Sequence, residues 1–283
     1  MSQRVRCGQS GCGRPIRTGL KSVITSETRP RPSRELRTRY SAADVGVLTR
    51  DEARRFLAGG IDDPRTDITL AWELLYRLEP ELYDRLISAE RLHPAVIGWL
   101  PDNAKRIVEV AAGTGRLTLE LVHRAREVVA IEPAAPLREI LDRKLAQADH
   151  GYRVRVAHGF FDDLPVADDS ADVVVACSAL TPVPEHGGEA GLAEMERVCR
   201  PGGCVVIVWP NEVPWLAAHG YRYVRFDGEM FVEFASHEEA AELIEIFYPS
   251  AIGEVRRRGR RRVPYDVLGT NPPRDLAFKV IAR

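Results

Sequence analysis

A run of small residues between an apolar segment and a helical one is the first feature of the sequence that could bind a ligand. In the stretch V-E-V-A-A-G-T-G-R, residues 108–116, the apolar segment ends at Val110 and is followed by Ala111, Ala112, Gly113, Thr114 and Gly115. Small side chains let a ligand approach the backbone, and the start of a helix offers N–H groups that have no partner within the helix. The stretch therefore predicts a ligand-binding loop.

Two common ligand classes do not fit this loop. A P-loop for nucleoside triphosphates requires Gly-x4-Gly-Lys-Ser/Thr, and the sequence contains no such run. A dinucleotide fingerprint requires Gly-x-Gly-x-x-Gly, but the sixth position counted from Gly113 is Thr118, and counted from Ala111 it is Arg116. NAD(P) is therefore disfavoured as well.

Apolar strands alternate with helical segments from Lys105 onward. The predicted strands span 106–110, 127–131, 152–157, 172–178 and 204–210, and the predicted helices span 115–125, 136–148 and 188–199. This alternation is typical of an α/β fold with a parallel, doubly wound sheet. Such sheets bind ligands at the carboxyl ends of their strands, which is where the small-residue loop would lie.

The order Glu109-x-Ala111-x-Gly113-x-Gly115, followed by Glu132, resembles the first two motifs of class I S-adenosylmethionine (SAM)-dependent methyltransferases. The resemblance implies that Glu132 accepts hydrogen bonds from both ribose hydroxyls of SAM. A carboxylate offers two oxygens to the two donors of a diol, and charge-assisted hydrogen bonds are strong. Glu109 is implied to place the amino end of the methionine moiety. The implied cofactor-binding set also includes the backbone of residues 111–115 and Pro133.

Later segments extend the resemblance over residues 80–283. The segments GFFDDLP (159–165) and DVVVACSAL (172–180) are similar to the family's adenine loop and fourth strand, and ERVCRPGG (196–203) is similar to the turn before the fifth. Segments 261–269 and 275–283 resemble the antiparallel pair that completes the family's seven-stranded, mostly parallel, Rossmann-like sheet. The sequence most resembles the small-molecule branch related to ubiquinone and menaquinone biosynthesis, the type 11 family.

Two departures from the family pattern concern the cofactor loops. Ala111 stands where the family has its first loop glycine, which is tolerable if the φ of Ala111 is negative. Phe160 and Phe161 stand where the family has an acid that meets the adenine amino group. We expect a phenylalanine to pack on the adenine or the backbone to bind its edge, with Asp162 as the available acid.

A third departure follows the fourth strand. Relatives often have His-His there, whereas this chain has Thr181-Pro182 and, further on, His186. A histidine near neutrality can act as a general base, so His186 is the candidate catalytic residue. Many methyl transfers need only proximity and alignment, so a mechanism without a base stays open. Cys177, at the end of the same strand, is expected to face the cofactor.

Residues 46–100 are predicted to form a helical cap ahead of the SAM-binding domain at 101–283. Thr49 and Glu52 match a capping box at the start of its first helix. Tyr83 and Arg85 or Arg91 are candidates to contact the methionine carboxylate or the acceptor. A segment around 211–249 is rich in aromatic residues and is expected either to line the acceptor pocket or to cover the sheet.

Composition limits the other classes of function. The chain has 283 residues, 45% of them hydrophobic, and a net charge of −1, which excludes a uniformly basic nucleic-acid binder. Residues 1–45 are basic, lack apolar periodicity and are expected to be a disordered extension. Cys7 and Cys12 lack a second ligand pair, so no metal site is predicted. No run is apolar enough to span a membrane, and an odd number of cysteines suits a cytoplasmic protein.

The sequence thus predicts methyl transfer from SAM to an O, N or C nucleophile of a small molecule. Two alternatives stay open. The six arginines in residues 256–262 could serve a nucleic-acid methyltransferase, although no aromatic residues are interleaved with them. The altered adenine loop could also belong to a protein that binds SAM without turnover. Asn271-Pro272-Pro273 resembles a motif of amine methyltransferases but lies too late in the chain, so it is assigned to a turn.

Overall fold

Seven strands form the main sheet in the computed structural model of the protein, which describes residues 34–282. They are β1 (Ala104–Val110), β2 (Ala125–Ile131), β3 (Val154–Ala157), β4 (Ala171–Cys177), β5 (Cys199–Val208), β6 (Arg222–Arg225) and β9 (Asp275–Val280). Two shorter strands, β7 (Phe231–Glu233) and β8 (Arg262–Pro264), form a separate antiparallel pair.

The order across the sheet is β3-β2-β1-β4-β5-β9-β6. Neighbours from β3 to β5 are parallel, and β9 is antiparallel to both β5 and β6. The chain builds outward from β1 to β3 and then returns to β4 on the other side of β1, so the direction reverses between β1 and β4. The predicted doubly wound, seven-stranded, mostly parallel sheet is confirmed. Its ligand crevice is expected at the carboxyl ends of β1 and β4.

Helices within residues 34–282 cover the sheet and form the cap. They are α1 (Arg34–Arg39), α2 (Arg50–Phe56), α3 (Ile68–Leu78), α4 (Pro80–Ala89), α5 (Pro94–Trp99), α6 (Thr118–Leu121), α7 (Ala135–Gln147), α8 (Gly188–Val198), α9 (Val213–Ala218), α10 (His237–Phe247), α11 (Ile252–Arg258) and α12 (Tyr265–Leu268). Short 3-10 turns lie at Ala42–Val47, Pro184–His186 and Pro249–Ala251.

Strand side chains alternate between two apolar cores, one on each face of the sheet. Ile107 and Val173 enter the core that α3, α7 and α10 complete, whereas Val108 and Val174 enter the core that α8 completes. This period of two explains why the central strands are almost continuously apolar. Among the described residues, no helix combines the length and the apolar character needed to cross a bilayer.

The last strands of the sheet differ from the prediction. Segment 261–269 does not pair with β9. Its residues 262–264 form β8, which pairs with β7, and β6 takes the expected place beside β9. The four residues of β6, R-Y-V-R, begin and end with arginine and give a weak apolar signal. The predicted helix over 115–125 is also shorter, since only α6 is helical and turns flank it.

The packed part of the chain begins before the predicted boundary at residue 45. Leu36 of α1 is fully buried, and Tyr40 donates a hydrogen bond to Glu79 at 2.7 Å. The expectation of disorder through residue 45 is therefore wrong for residues 34–45, because one leucine and one tyrosine are enough to attach a short basic helix to the core. The rest of the predicted extension, with Cys7 and Cys12, lies outside the described residues.

A buried ion triad holds the first cap helices together. Arg77 of α3 donates to Glu52 of α2 at 2.7 Å and to Glu73, one turn away on α3, at 2.6 Å. Burial raises the pKa of Glu73 to about 7, and Arg77 opposes that rise. Glu52 also completes the predicted capping box with Thr49, which is confirmed.

Candidate active site

The small-residue loop turns sharply between β1 and α6. Gly113 and Gly115 have φ values of 57° and 96°, in the left-handed region that glycine tolerates. A Cβ on Gly115 would lie 2.5 Å from Cδ1 of Leu141 in α7. A Cβ on Gly113 would lie 3.4 Å from the hydroxyl oxygen of Tyr83, which covers the loop from α4. Backbone conformation and close neighbours therefore both favour glycine here.

Ala111 contradicts the expectation of a negative φ, since its φ is 57°. A left-handed conformation costs an alanine about 1–2 kcal/mol. Ser178, directly after β4, and Trp209, directly after β5, have φ values of 60° and 51°. Three neighbouring parallel strands thus end in a left-handed residue that is not glycine. Strain of this kind concentrates at ligand sites.

Glu132 directly follows β2, and its carboxylate reaches the loop after β1. Its oxygens accept hydrogen bonds from the backbone N–H groups of Gly113 and Ala134, both at 2.9 Å. Burial raises the pKa of the Glu132 carboxyl above its ordinary value, and the two N–H donors oppose the rise. A carboxylate has about four acceptor positions, so this one can still accept the two donors of a diol. Pro133 lies between Glu132 and Ala134 in this turn.

Glu109 is buried within β1, on the face of the sheet that carries α6. Its carboxylate accepts a hydrogen bond from the hydroxyl of Thr118 at 2.6 Å. Burial raises the pKa of Glu109 to about 8, against the opposing effects of Thr118 and Arg116. The group is therefore mostly protonated at neutral pH. A cationic ligand group nearby would favour its ionised form.

Thr114 has a buried hydroxyl whose Oγ1 makes no hydrogen bond to any described residue, although the side chain is only 1% exposed. Such a group costs about 1–3 kcal/mol unless a ligand supplies a partner. Ala112, beside it in the loop, is also buried. This hydroxyl, the Glu132 carboxylate and the glycine backbone together suit a ligand with a sugar diol and further polar groups. The residues present thus fit SAM.

The residues expected at the adenine lie in different surroundings after β3. Phe161 packs into the core beneath α8, where it contacts Gly187 and Gly191. Phe160 lies under the guanidinium of Arg55 from α2, with 4.0 Å from Cζ to the ring centroid. Asp162 forms an ion pair with the same arginine. The loop is therefore attached to the cap through Arg55, a contact between distant segments that the sequence did not indicate.

Aromatic residues of the cap surround the side chain that covers the glycine loop. The rings of Tyr83 and Tyr76 are 4.8 Å apart, and the ring of Trp72 lies edge-on to Tyr83 at 6.3 Å. Phe247, at the end of α10, stacks on Trp72 at 5.6 Å. Tyr83, one of the candidates from the sequence, thus lies at the loop.

The two arginine candidates of the cap lie elsewhere. Arg85 is bound by Glu239 and Glu242 of α10 at 2.6–2.9 Å, and Arg91 is exposed. Arg85 therefore links α4 to α10, and neither arginine has a recorded contact with the loop after β1.

A buried arginine next to the loop was missed by sequence reasoning. Arg116 directly follows Gly115, and it donates to Glu90 at 3.1 Å and to the sulfur of Cys177 at 3.4 Å. Its Cζ lies 5.1 Å from the ring centroid of Trp209. Tyr248 donates to the other oxygen of Glu90. Arg116 thus connects the ends of β1, β4 and β5, and its place directly after the glycine motif was the available signal.

His186 lies in the turn after β4 and is partly buried. Its Nδ1 is 3.4 Å from the hydroxyl oxygen of Thr181. Burial lowers the pKa of His186, and the charges of Glu185 and Asp67 oppose that effect. The imidazole is therefore neutral at physiological pH, which is the form that a general base needs. Asp67 caps α3, so the histidine faces the cap.

The aromatic residues of the segment 211–249 contribute to the site only at its end. Phe226 and Phe234 are buried in the core, and Trp215 donates to Glu189 on α8. Phe247 and Tyr248 are the residues of this segment that contact the cap and Glu90. Most of its aromatic residues therefore cover the sheet.

Four of the six arginines in the run at 256–262 form ion pairs within the fold. Arg256 pairs with Glu245, and both Arg257 and Arg258 pair with Glu254. Arg261 pairs with Glu233, and Arg262 lies over Phe231 at 3.9 Å. These pairings involve three carboxylates for six arginines and so offset about half of the positive charge of the run.

Comparison with known proteins agrees with this geometry. Residues 107–203 match the family model described as a methyltransferase domain. An uncharacterised methyltransferase of Mycobacterium tuberculosis is 34% identical over 41% of this chain and 44% of its own length. A demethylmenaquinone methyltransferase of Clavibacter sepedonicus is 38% identical, over 38% and 42%. A ubiquinone/menaquinone biosynthesis C-methyltransferase of Geotalea daltonii is 34% identical, over 36% and 44%.

The chain spans less than half the length of each of these relatives. The matched region nevertheless contains β1 to β4, the glycine loop and Glu132, which form the geometry described above. Residues 107–203 are therefore similar to a methyltransferase domain, and the sheet around them has the Rossmann-like order of class I enzymes.

Proposed function

We propose that this protein transfers the methyl group of SAM to an oxygen, nitrogen or carbon atom of a small-molecule acceptor. The observation that carries the proposal is the Glu132 carboxylate, held 2.9 Å from the backbone nitrogen of Gly113. This contact joins the ends of β1 and β2 into one site for a nucleoside. The printed names of two relatives, which refer to demethylmenaquinone and to ubiquinone/menaquinone biosynthesis, support a small acceptor.

When bound, SAM supplies a methyl group that its sulfonium has already activated. The residues of this chain bind and orient the reactants, which is the main requirement for such a transfer. Glu132 binds the ribose, the loop from Ala111 to Gly115 lines the methionine part, and Glu109 places its amino end. Tyr83 covers the loop and keeps water out.

The acceptor is proposed to enter the crevice between the ends of β1 and β4, below the cap. His186 is neutral in this fold and is assigned as the base for an acceptor that arrives protonated. An acceptor that arrives as an anion needs no base. The cap at 46–100 and the end of the segment 211–249 are proposed to close this pocket.

The test of the cofactor site is calorimetric titration of S-adenosylhomocysteine into the wild type and Glu132→Ala, with NAD as a control ligand. Loss of the ribose hydrogen bonds is expected to weaken binding by about 2 kcal/mol, or about thirtyfold. Glu127→Ala is the matched control, because Glu127 lies on β2, which Glu132 directly follows, but pairs with Arg106 at the surface. No binding to the wild type, or equal binding to Glu132→Ala, would contradict the proposal.

The test of turnover is transfer from radiolabelled SAM to a panel of phenols, amines and carboxylic acids. Labelled product is expected from at least one acceptor, and His186→Ala is expected to slow only acceptors that must lose a proton. Binding of the cofactor without labelled product across the panel would favour the non-catalytic alternative. The nucleic-acid alternative has less support, because four of the six arginines in the run form ion pairs within the fold.

A further inference from the structure

Arg116 lies across the ligand crevice. It begins at the loop after β1 and reaches the last residue of β4, where Cys177 accepts its hydrogen bond at 3.4 Å. These two strands flank the point at which the strand order reverses, and ligands of doubly wound sheets bind there. A cation in this place is among the first groups that an acceptor meets.

The donors of this arginine are mostly unused within the described residues. A guanidinium has five N–H donors in a planar fork, and Arg116 donates one to Glu90 at 3.1 Å and one to Cys177. The contact with Glu90 is through one nitrogen, whereas arginine and a carboxylate bind best through two parallel hydrogen bonds. The side chain is only 11% exposed.

An aromatic ring lies beside the guanidinium. The ring centroid of Trp209 is 5.1 Å from its Cζ, while Tyr83 of the cap covers the adjoining loop and Tyr248 binds Glu90. Arginine stacks on planar rings and binds planar anions, so this pocket combines both recognition modes.

We propose that Arg116 is the acceptor-recognition residue, and that the acceptor is a planar aromatic compound with an acidic oxygen, a carboxylate or an ionised hydroxyl. Glu90 binds the guanidinium and competes with the acceptor for it. This inference rests on the proposed methyltransferase function and defines the acceptor class of that same site.

The test compares matched aromatic acids and their neutral amides, benzoate with benzamide and naphthoate with naphthamide. Binding is followed by ligand-observed NMR with S-adenosylhomocysteine at saturation. Wild type is expected to prefer the carboxylates by about tenfold or more, because the hydrogen bonds to the guanidinium are charge-assisted. Arg116→Gln is expected to lose this preference, and Arg116→Lys to keep part of it, since an ammonium has a charge but no planar fork.

Two further variants make the result independent of folding defects. Glu90→Gln removes the competing carboxylate and is expected to strengthen carboxylate binding severalfold. If Arg116→Gln does not fold, the double variant with Glu90→Gln removes both charges of the pair. It tests the same loss of preference for carboxylates over amides. Arg124→Gln is the matched control, because Arg124 is a largely buried arginine paired with Asp102, beside the first residue of β1, and it should leave the preference intact.

The outcomes separate the two proposals. If S-adenosylhomocysteine does not bind the wild type, the proposed function itself fails. If it binds but wild type does not prefer the carboxylates, or if Arg116→Gln retains that preference, the role of Arg116 is overturned while the cofactor site stands.

Discussion

Protonation of Glu109 should make the free energy of unfolding of this protein depend on pH. Glu109→Gln should remove that contribution. Burial raises the pKa of Glu109 from 4.5 to about 8 in the folded state. The unfolded chain therefore releases this proton at a lower pH than the folded chain does. The stabilisation from Glu109 is complete below about pH 4.5 and is lost as the pH rises toward 8.

The magnitude follows from the linkage between protons and folding. Within this window, one site changes the free energy of unfolding by about 1.4 kcal/mol for each pH unit. Glu109→Gln keeps the shape of the side chain and can still accept the hydrogen bond from Thr118, but it cannot ionise. The free energy of unfolding of Glu109→Gln should therefore rise relative to that of the wild type. The expected rise is on the order of 1 kcal/mol for each pH unit between pH 5 and pH 8.

Urea denaturation of both proteins at a series of pH values measures this difference. Other buried acids, such as Glu73 and Glu132, titrate in both proteins, so the comparison isolates position 109. Parallel curves for wild type and Glu109→Gln would refute the reasoning, because they would mean that Glu109 is already ionised in the fold.

With S-adenosylhomocysteine bound, the cationic amino group should favour the ionised carboxylate. Wild type, but not the variant, should then release a proton on binding, which titration in buffers of different ionisation enthalpy detects.

Other substitutions test the strain, the cap and the loop. Ala111→Gly relieves a left-handed φ of 57° and should raise the free energy of unfolding by up to about 1 kcal/mol in urea denaturation; a loss of stability would contradict the strain argument. Arg77→Met leaves two buried glutamates without their partner and should destabilise by about 3–5 kcal/mol, with recovery when both glutamates become glutamine; an unchanged urea midpoint would show that the triad contributes nothing. Gly115→Ala places a methyl group 2.5 Å from a leucine and should abolish S-adenosylhomocysteine binding in calorimetry, whereas Gly253→Ala, at a position with open space, should not.

The sequence was sufficient for the centre of the fold because the signals there are local. The strands β1 to β5 are apolar runs, and the glycine loop follows the first of them. The place of Glu132 at the end of β2 then follows from parallel pairing alone. Parallel pairing of β1 with β2 also brings Glu132 to the loop that contains Gly113.

The features that the sequence did not reveal depend on distant contacts. β6 has four residues and β8 has three, and which of them pairs with β9 is decided by packing at the sheet edge rather than by their own residues. The φ of Ala111 is imposed by the turn around it. Arg116, Glu90 and Tyr248 are brought together from three separate segments, so no spacing along the chain indicates their contact.

The contact between α1 and α10 has a consequence for the order of folding during synthesis. α1 leaves the ribosome first, yet it packs against a helix made about two hundred residues later. The ring of Trp72 likewise stacks on Phe247, which is synthesised much later. A nascent chain that has completed β1 to β5 therefore has its glycine loop but still exposes the apolar side of the cap. Closure over the cofactor site becomes possible only with the last quarter of the chain, so folding of the cap is a late and long-range step.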